Sequence, residues 1–425
     1  MTHREEPDLR PFLVMWIGQS VSLLGSSAIQ FAVIWWLTST TGSASILALA
    51  TLVGLAPQIA LGPVAGALVD RWPRKRVMWM ADAVAALAAV VLALLFAAGN
   101  AGVVHVLLLL FVRSLAGAFH GSAMFAATSL MVPPEQLTRI QGLNQLVQGG
   151  SMILGAPAGA LLLAALPMAG VMLVDVGSAA VALAALAVVR VPEPGDAESP
   201  GDDHSDDAAS VGRPGLWGDL ADGLRWVLSR RGHTLLIATA ALVNLLLVPA
   251  LSLLPLLVAE AGHGPGAYAT LMSCFGIGTL GGGILLGAWG GFGRRVHTAL
   301  AGMIGLGAST AALGAVPATW GGLAVVAALG LGVSGSLTNG PIHAILQATV
   351  EPRYQGRVIT LTVSLATAMT PLGLLAAAPT AELLGARAWY VASGLLCALV
   401  ASAAFLMRPL VEIEAADRPL TERAF

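Results

Sequence analysis

The sequence predicts an all-α membrane protein with twelve transmembrane helices in two six-helix bundles. Three observations lead there. Of 425 residues, 57% are hydrophobic and only 10% are charged, with a mean hydropathy of +0.83, whereas an ordinary soluble chain is about a quarter charged. So few polar groups cannot cover the outside of a soluble globule. Next, the chain divides into twelve apolar stretches, each about 20 residues or longer, enough to cross a bilayer. Finally, the basic residues collect in alternate connections, as the positive-inside rule requires.

Taken in order, the first bundle has spans at roughly 11–39, 43–69, 77–98, 103–131, 138–165 and 168–190. Gly42-Ser43 separates the first pair, the cluster Asp70 to Arg76 the second, Gly99-Asn100 the third, Pro133-Pro134 the fourth and Pro167 the fifth. The second bundle has spans at roughly 233–259, 265–290, 296–315, 318–349, 356–384 and 386–407, punctuated by Gly262 to Pro265, Gly290 to Arg295, Pro317, Glu351 to Arg353 and Gly385. In lipid every backbone polar group must bond internally, so these spans are helices; the ten-residue alternation of an outer-membrane barrel is missing.

Between the bundles, 191–232 reads as a cytoplasmic linker. Pro192, Pro194, Pro200 and the acidic residues Asp202, Asp203, Asp206 and Asp207 cannot build a core. Within it, 216–229 has Leu216, Leu220, Leu224, Val227 and Leu228 on one face and Asp219, Asp222 and Arg225 away from it. That pattern predicts a helix on the cytoplasmic membrane surface, with Trp217 and Trp226 at the interface. The bundles are thus 1–190 and 233–408, followed by a tail at 409–425. With the N-terminus cytoplasmic, nineteen of the 21 basic residues face the cytoplasm. Only Arg387 is external and Arg113 lies within a span, so both termini are expected in the cytoplasm.

The same arithmetic excludes several function classes. A net charge of -2 gives no footprint for nucleic acid. Cys274 and Cys397 lie in separate apolar stretches and suggest neither a disulfide framework nor a thiolate metal site. Met1 to Arg10 is mixed in charge and runs straight into a long span, so a cleaved signal peptide is not expected. Gly276-x-Gly278-x-x-Gly281 fits a dinucleotide fingerprint by letter, but it sits inside an apolar span with no preceding strand. No P-loop lysine, zincin pair or serine-nucleophile elbow occurs, so the chain reads as neither an enzyme nor an ATP-driven pump, and no cofactor or metal is expected.

The link between the second and third spans reads Gly66-x-x-x-Asp70-Arg71-x-x-Arg74-Lys75-Arg76. On these residues, and over essentially its whole length, the chain resembles the major facilitator superfamily. The resemblance implies the major facilitator fold, alternating access, and a conformational latch made by Gly66, Asp70, Arg71, Arg74 and Arg76, to which Asp82 is assigned from its place near the same end of the third span. A carboxylate such as Asp70 suits a neighbouring helix N-terminus, and the bland alternative is a positive-inside anchor. The equivalent link in the second half, Gly287 to Arg295, keeps glycines and basic residues but lacks the acid.

Further stretches are similar to an efflux branch that includes macrolide and enterobactin exporters. They are Gly18-Gln19-Ser20-x-Ser22-x-x-Gly25-Ser26, Asp222-Gly223-Leu224-Arg225-Trp226, Glu351-Pro352-Arg353-x-x-Gly356-Arg357 and Met369 to Gly373. Gly149, Gly150, Gly155, Pro157 and Gly159 resemble the glycine-rich antiporter motif of the fifth helix, although Ala156 splits its Gly-Pro pair.

Charges inside the spans are few, which makes them informative. Arg113 lies about ten residues into the fourth span, and a charge there is costly unless it meets a cavity or partner. Arg113-x-x-x-Gly117 resembles the family motif whose arginine is implicated in proton transfer. Asp175, in the sixth span, is its natural counter-charge; the two either couple protons or simply hold the bundle together. His120 shares Arg113's helix face, His343 lies in the tenth span, and histidine titrates near neutral pH. Gln19, Gln30, Phe31, Trp35 and Asn244 are candidates for a substrate cavity, with interhelical hydrogen bonding as the plain alternative for the amides. The expectation is a multi-pass cytoplasmic-membrane exporter of amphipathic small molecules, driven by proton antiport. Its expected partners are the substrate, protons and membrane lipid, with a single chain as the working unit. Uptake, lipid translocation and a transport-inactive scaffold or sensor stay open on the same fold.

Overall fold

A computed structural model describes residues 9–69, 72–191, 216–317 and 321–416. Among them there are fifteen helices and no strand. The first six are α1 (Arg10–Thr41), α2 (Ala44–Val69), α3 (Arg74–Ala97), α4 (Val103–Met131), α5 (Pro134–Ala165) and α6 (Met168–Val188). After the short α7 (Leu216–Leu228) come α8 (Arg231–Glu260), α9 (Pro265–Trp289), α10 (Arg295–Ala315), α11 (Gly321–Thr349), α12 (Pro352–Leu384) and α13 (Ala386–Ala404). Single turns α14 (Arg408–Val411) and α15 (Ile413–Ala416) close the described chain. Twelve of these helices are long and apolar enough to cross a membrane. Their outer faces carry residues such as Leu94, Leu161, Val188, Leu375 and Leu383, at least 65% exposed, which only a lipid solvent makes acceptable.

Several helices begin earlier than their apolar pattern does. Pro134 and Pro352 open α5 and α12, because a proline's missing N–H is unneeded in a first turn. Arg74 and Lys75 lie inside α3. Lys75 also bonds across to α6: its Nζ donates to the carbonyls of Ala187 and Val189 at 3.1 and 2.6 Å. It thereby closes the C-terminal end of α6, where a cation also suits the helix dipole.

The chain forms two compact units, Met1–Gly42 with Leu49–Asp202, and Ser43–Ala48 with Asp203–Phe425. In the first, α1 packs on α5 and α6, and α3 on α4 and α6. Phe12, Met15, Met78, Ala123, Ala127 and Leu186 build its core. Gly159 of α5 lies so close to the Ala28 carbonyl and the Phe31 ring of α1 that a Cβ would collide with both. In the second unit, α11 packs on α9 and α10, and α10 on α13, while α8 packs on α12 and α13. Gly278 and Gly332 bring the α9 and α11 backbones into direct contact, which gives the fingerprint-like glycines a packing role.

Helix α7 packs on α12 and α8. Gly223, Trp226 and Val227 are buried, whereas Leu224 and Leu228 are exposed. Gly223 abuts Arg357, and the Asp222 carboxylate lies 3.6 Å from the Arg357 guanidinium. The Trp226 ring stands 4.9 Å from His233 and 6.1 Å from Tyr354, with the Arg230 guanidinium 4.1 Å above it. Arg230 then donates to Glu351 at 2.9 Å, which also pairs with Arg353 at 3.0 Å. Desolvation pulls the Glu351 carboxyl up, but the Arg353 bond and charge, then the Arg230 bond, outweigh it and hold the group below its usual value. Trp226 therefore docks against protein and not at the lipid interface. Its partners lie over a hundred residues away for Tyr354, beyond the reach of helical periodicity.

Candidate functional site

Four helices of the first unit place polar side chains around one cavity. On α1, Gln19, Ser22 and Ser26 fall at i, i+3 and i+7, a single face. On α4, Arg113, Gly117 and His120 fall at i, i+4 and i+7, again a single face. Asp82 enters from α3 and Asp175 from α6. Together they line a cavity of ≈ 210 Å³.

Two couples share this cavity. Arg113 and Asp175 form a direct ion pair through Nη1 and Oδ2, with side-chain exposures of 20% and 4%. Ser26 Oγ donates to the other Asp175 oxygen at 3.3 Å. In the second couple, Gln19 Nε2 donates to Asp82 Oδ2 at 2.9 Å, while Gln19 Oε1 lies 3.1 Å from His120 Nε2. His120 Nε2 is also 3.5 Å from Asp82 Oδ1. Once the Gln19 amide nitrogen donates to Asp82, its oxygen can only accept, so His120 carries a proton on Nε2 in this arrangement.

Charge balance separates the roles. A guanidinium does not give up its proton in a protein. Protonating Asp175 would strand a half-buried cation, and breaking such a pair costs about 3–5 kcal/mol. The Asp82–His120 couple has no such penalty, because an added proton there makes a neutral acid or an imidazolium beside a carboxylate.

A second space, a groove of ≈ 550 Å³, adjoins the first. Gln19, Leu23 and His120 border both. The groove continues along α5, where Gln141, Asn144, Gln145 and Gln148 occur at i, i+3, i+4 and i+7. Trp16 Nε1 donates to Asn144 Oδ1 at 2.7 Å, fixing one amide of the row. In the second unit, Asn244, Thr338, Asn339 and Tyr390 border a mostly apolar cavity of ≈ 170 Å³. Asn244 spends its amide nitrogen on the Ala240 carbonyl at 2.9 Å, within its own helix.

The structure thus unites Gln19, Arg113, His120 and Asp175 and adds Asp82, which its chain position had assigned to the latch. Asp82 faces His120 and Gln19 because its turn of α3 looks across to α1 and α4. His343 is exposed on α11 of the second unit and borders none of the three spaces. Gln30 is exposed on α1, Phe31 is buried against Gly159, and Trp35 is half-buried. None of these three lines the spaces either, so Phe31 serves packing. Of the latch residues, Asp70 and Arg71 lie outside the described residues, and Gly66 belongs to α2. Arg76 is exposed, and Arg74 Nε and Nη1 are buried with no hydrogen-bond partner among the described residues. The amide row on α5 and Trp16 were not singled out from sequence. The signal was present as four amides at helical spacing inside an apolar stretch.

Residues 15–264 match the profile of the Major Facilitator Superfamily. Macrolide efflux protein A of Streptococcus pyogenes is 32% identical over 391 residues, covering 92% of this chain and 94% of that protein. The multidrug efflux pump Tap of Mycolicibacterium fortuitum is 27% identical over 423 residues, covering 96% and 98%. Among solved structures, a bacterial homologue of the human lysosomal transporter Spinster superposes with a TM-score of 0.70 at 14% identity, covering 96% of this chain and 98% of that one. A bacterial homologue of the iron transporter ferroportin gives 0.67 at 17% identity, covering 94% and 99%. At these identities the solved structures speak for the fold alone.

Proposed function

The chain belongs to the Major Facilitator Superfamily and is a multi-pass protein of the cell membrane, and on that premise we propose that it exports amphipathic small molecules in exchange for protons. Export is supported by its relatives, which are named for macrolide and multidrug efflux. The observation that carries the coupling is that Gln19 and His120 border both the polar cavity and the amide groove.

In this reading the Asp82–His120 couple holds the exchanged proton. Gln19 bridges the two, so a ligand that bonds to its amide or to His120 competes with the bonds that hold the proton. Binding of substrate and loss of the proton are then linked through shared hydrogen bonds, and linkage makes the effect reciprocal. Arg113 and Asp175 stay paired and keep the neighbouring charge constant. Rocking of two six-helix bundles supplies alternating access, with Gly66, Asp70, Arg71, Arg74 and Arg76 as the latch and the basic-rich ends at the cytoplasm. Buried donor atoms of Arg74 favour an acceptor near that segment.

Inverted membrane vesicles test the proposal. Accumulation of a macrolide driven by an inside-acid gradient is expected, with collapse on adding a protonophore. Accumulation that ignores the gradient would remove proton coupling, and accumulation only under the opposite gradient would indicate uptake.

A further inference from the structure

The row of amides on α5 has a chemistry the coupling scheme does not use. Gln141, Gln145 and Gln148 are exposed to the ≈ 550 Å³ groove, and no hydrogen bond joins their side chains to another described residue. They lie on a helix that crosses an apolar medium, where an unsatisfied polar group is costly. Their partners are therefore water or a ligand. From Gln141 to Gln148 the helix rises about 10 Å, a length comparable to a sugar ring with its flanking linkage. Each amide offers donors and an acceptor and carries no charge.

The rest of the groove fits the same ligand. Trp16, Leu23, Met124, Phe125, Leu137 and Val147 supply apolar and aromatic wall, and among the described residues no carboxylate, arginine or lysine borders it. His120 is the one titratable side chain among its described lining residues. A ligand whose polarity is a bare cation would find no counter-charge among these described lining residues, whereas one edged with hydroxyl, ether and carbonyl oxygens would find a ladder of partners.

We infer that the amide ladder Gln141–Gln145–Gln148, with Asn144 fixed by Trp16, determines specificity for oxygen-rich, hydroxylated amphiphiles such as glycosylated lactones. The inference rests on the export reading and names its substrate class. Each glutamine reads oxygen atoms along one edge of the ligand while the apolar wall takes its hydrocarbon face. Selection follows from desolvation: a ligand lacking those oxygens leaves the amides dry and unpaired, which is disfavoured.

Equilibrium binding to the full chain in detergent, without any gradient, tests this separately from transport. The probes are erythromycin, a glycosylated macrolide, and tetraphenylphosphonium, a cation with no hydrogen-bonding group. Wild type is expected to bind erythromycin at least about tenfold more tightly, and Q141L/Q145L/Q148L to reduce that preference by about tenfold or more. The single variants Gln145→Leu and Gln148→Leu, at exposed positions, are expected to lose part of the same preference and guard against misfolding of the triple variant. Tetraphenylphosphonium binding as tight as erythromycin in wild type, or an unchanged preference in the single and triple variants, would overturn the inference. Ladder-dependent binding together with gradient-independent vesicles would leave it standing and remove the export mechanism instead.

Discussion

The Arg113–Asp175 pair gives the sharpest prediction on energetics. Asp175 is 3% exposed and its carboxylate satisfies Arg113 on one oxygen and Ser26 on the other. Asp175→Ala removes both bonds and leaves a guanidinium whose side chain is 20% exposed. Stranding one member of a buried pair costs about 3–5 kcal/mol, and the contact of Arg113 with the cavity places this case near the lower end. Arg113→Met should cost about as much, by leaving Asp175 without its cation. The double variant should cost far less than the two singles added, because it strands nothing. Unfolding of purified protein in mixed detergent micelles gives all four corners of the cycle. A coupling energy of about 2–3 kcal/mol is expected. Effects that add to within about 0.5 kcal/mol, the behaviour of independent sites, would refute the claim that this pair is a fixed, charge-compensated unit.

Two further outcomes follow from packing and charge. Gly159→Val puts side-chain atoms into the Ala28 carbonyl and Phe31 ring; overpacking of this kind costs about 1–3 kcal/mol, read as a lowered unfolding midpoint, and an unchanged midpoint would show that α1 and α5 can separate freely. For α7, the Glu351 carboxyl is held below its ordinary value of 4.5. A depressed folded value stabilises docking above 4.5 and is lost as pH falls through the depressed value. A spin label at Leu224→Cys should therefore become more mobile in that acid window, and Glu351→Gln should abolish the transition; mobility that ignores pH in the native protein would detach α7 from this cluster.

The parts of the site legible in the sequence were those with high individual cost. Arg113 and Asp175 stand out because a charge within a span demands a partner, and each is the other's. The contacts of Asp82 with Gln19 and His120 were not legible, because distance along the chain from Arg74 to Arg76 says nothing about which neighbour its turn of α3 faces. The amides of α5 escaped notice for a different reason: a lone glutamine in a span is cheap enough to be satisfied by an ordinary interhelical bond, so only their common face, and the lack of a partner for the three glutamines among the described residues, give them meaning. Trp226 read as an interfacial residue since amphipathic periodicity identifies an apolar face but not whether lipid or protein covers it. The twelve-helix architecture needed none of these details, because span length and charge asymmetry act through the bilayer itself.

The central claim is that ligand in the groove and a proton on the Asp82–His120 couple compete through Gln19. Proton release on ligand binding tests it most directly, measured with an indicator dye in weakly buffered detergent solution as erythromycin is added to saturation. Wild type should release about one proton per chain at a pH where the couple is loaded, and Asp82→Asn should bind erythromycin but release none. Release that persists undiminished in Asp82→Asn, or that disappears only when Asp175 is replaced, would contradict the account.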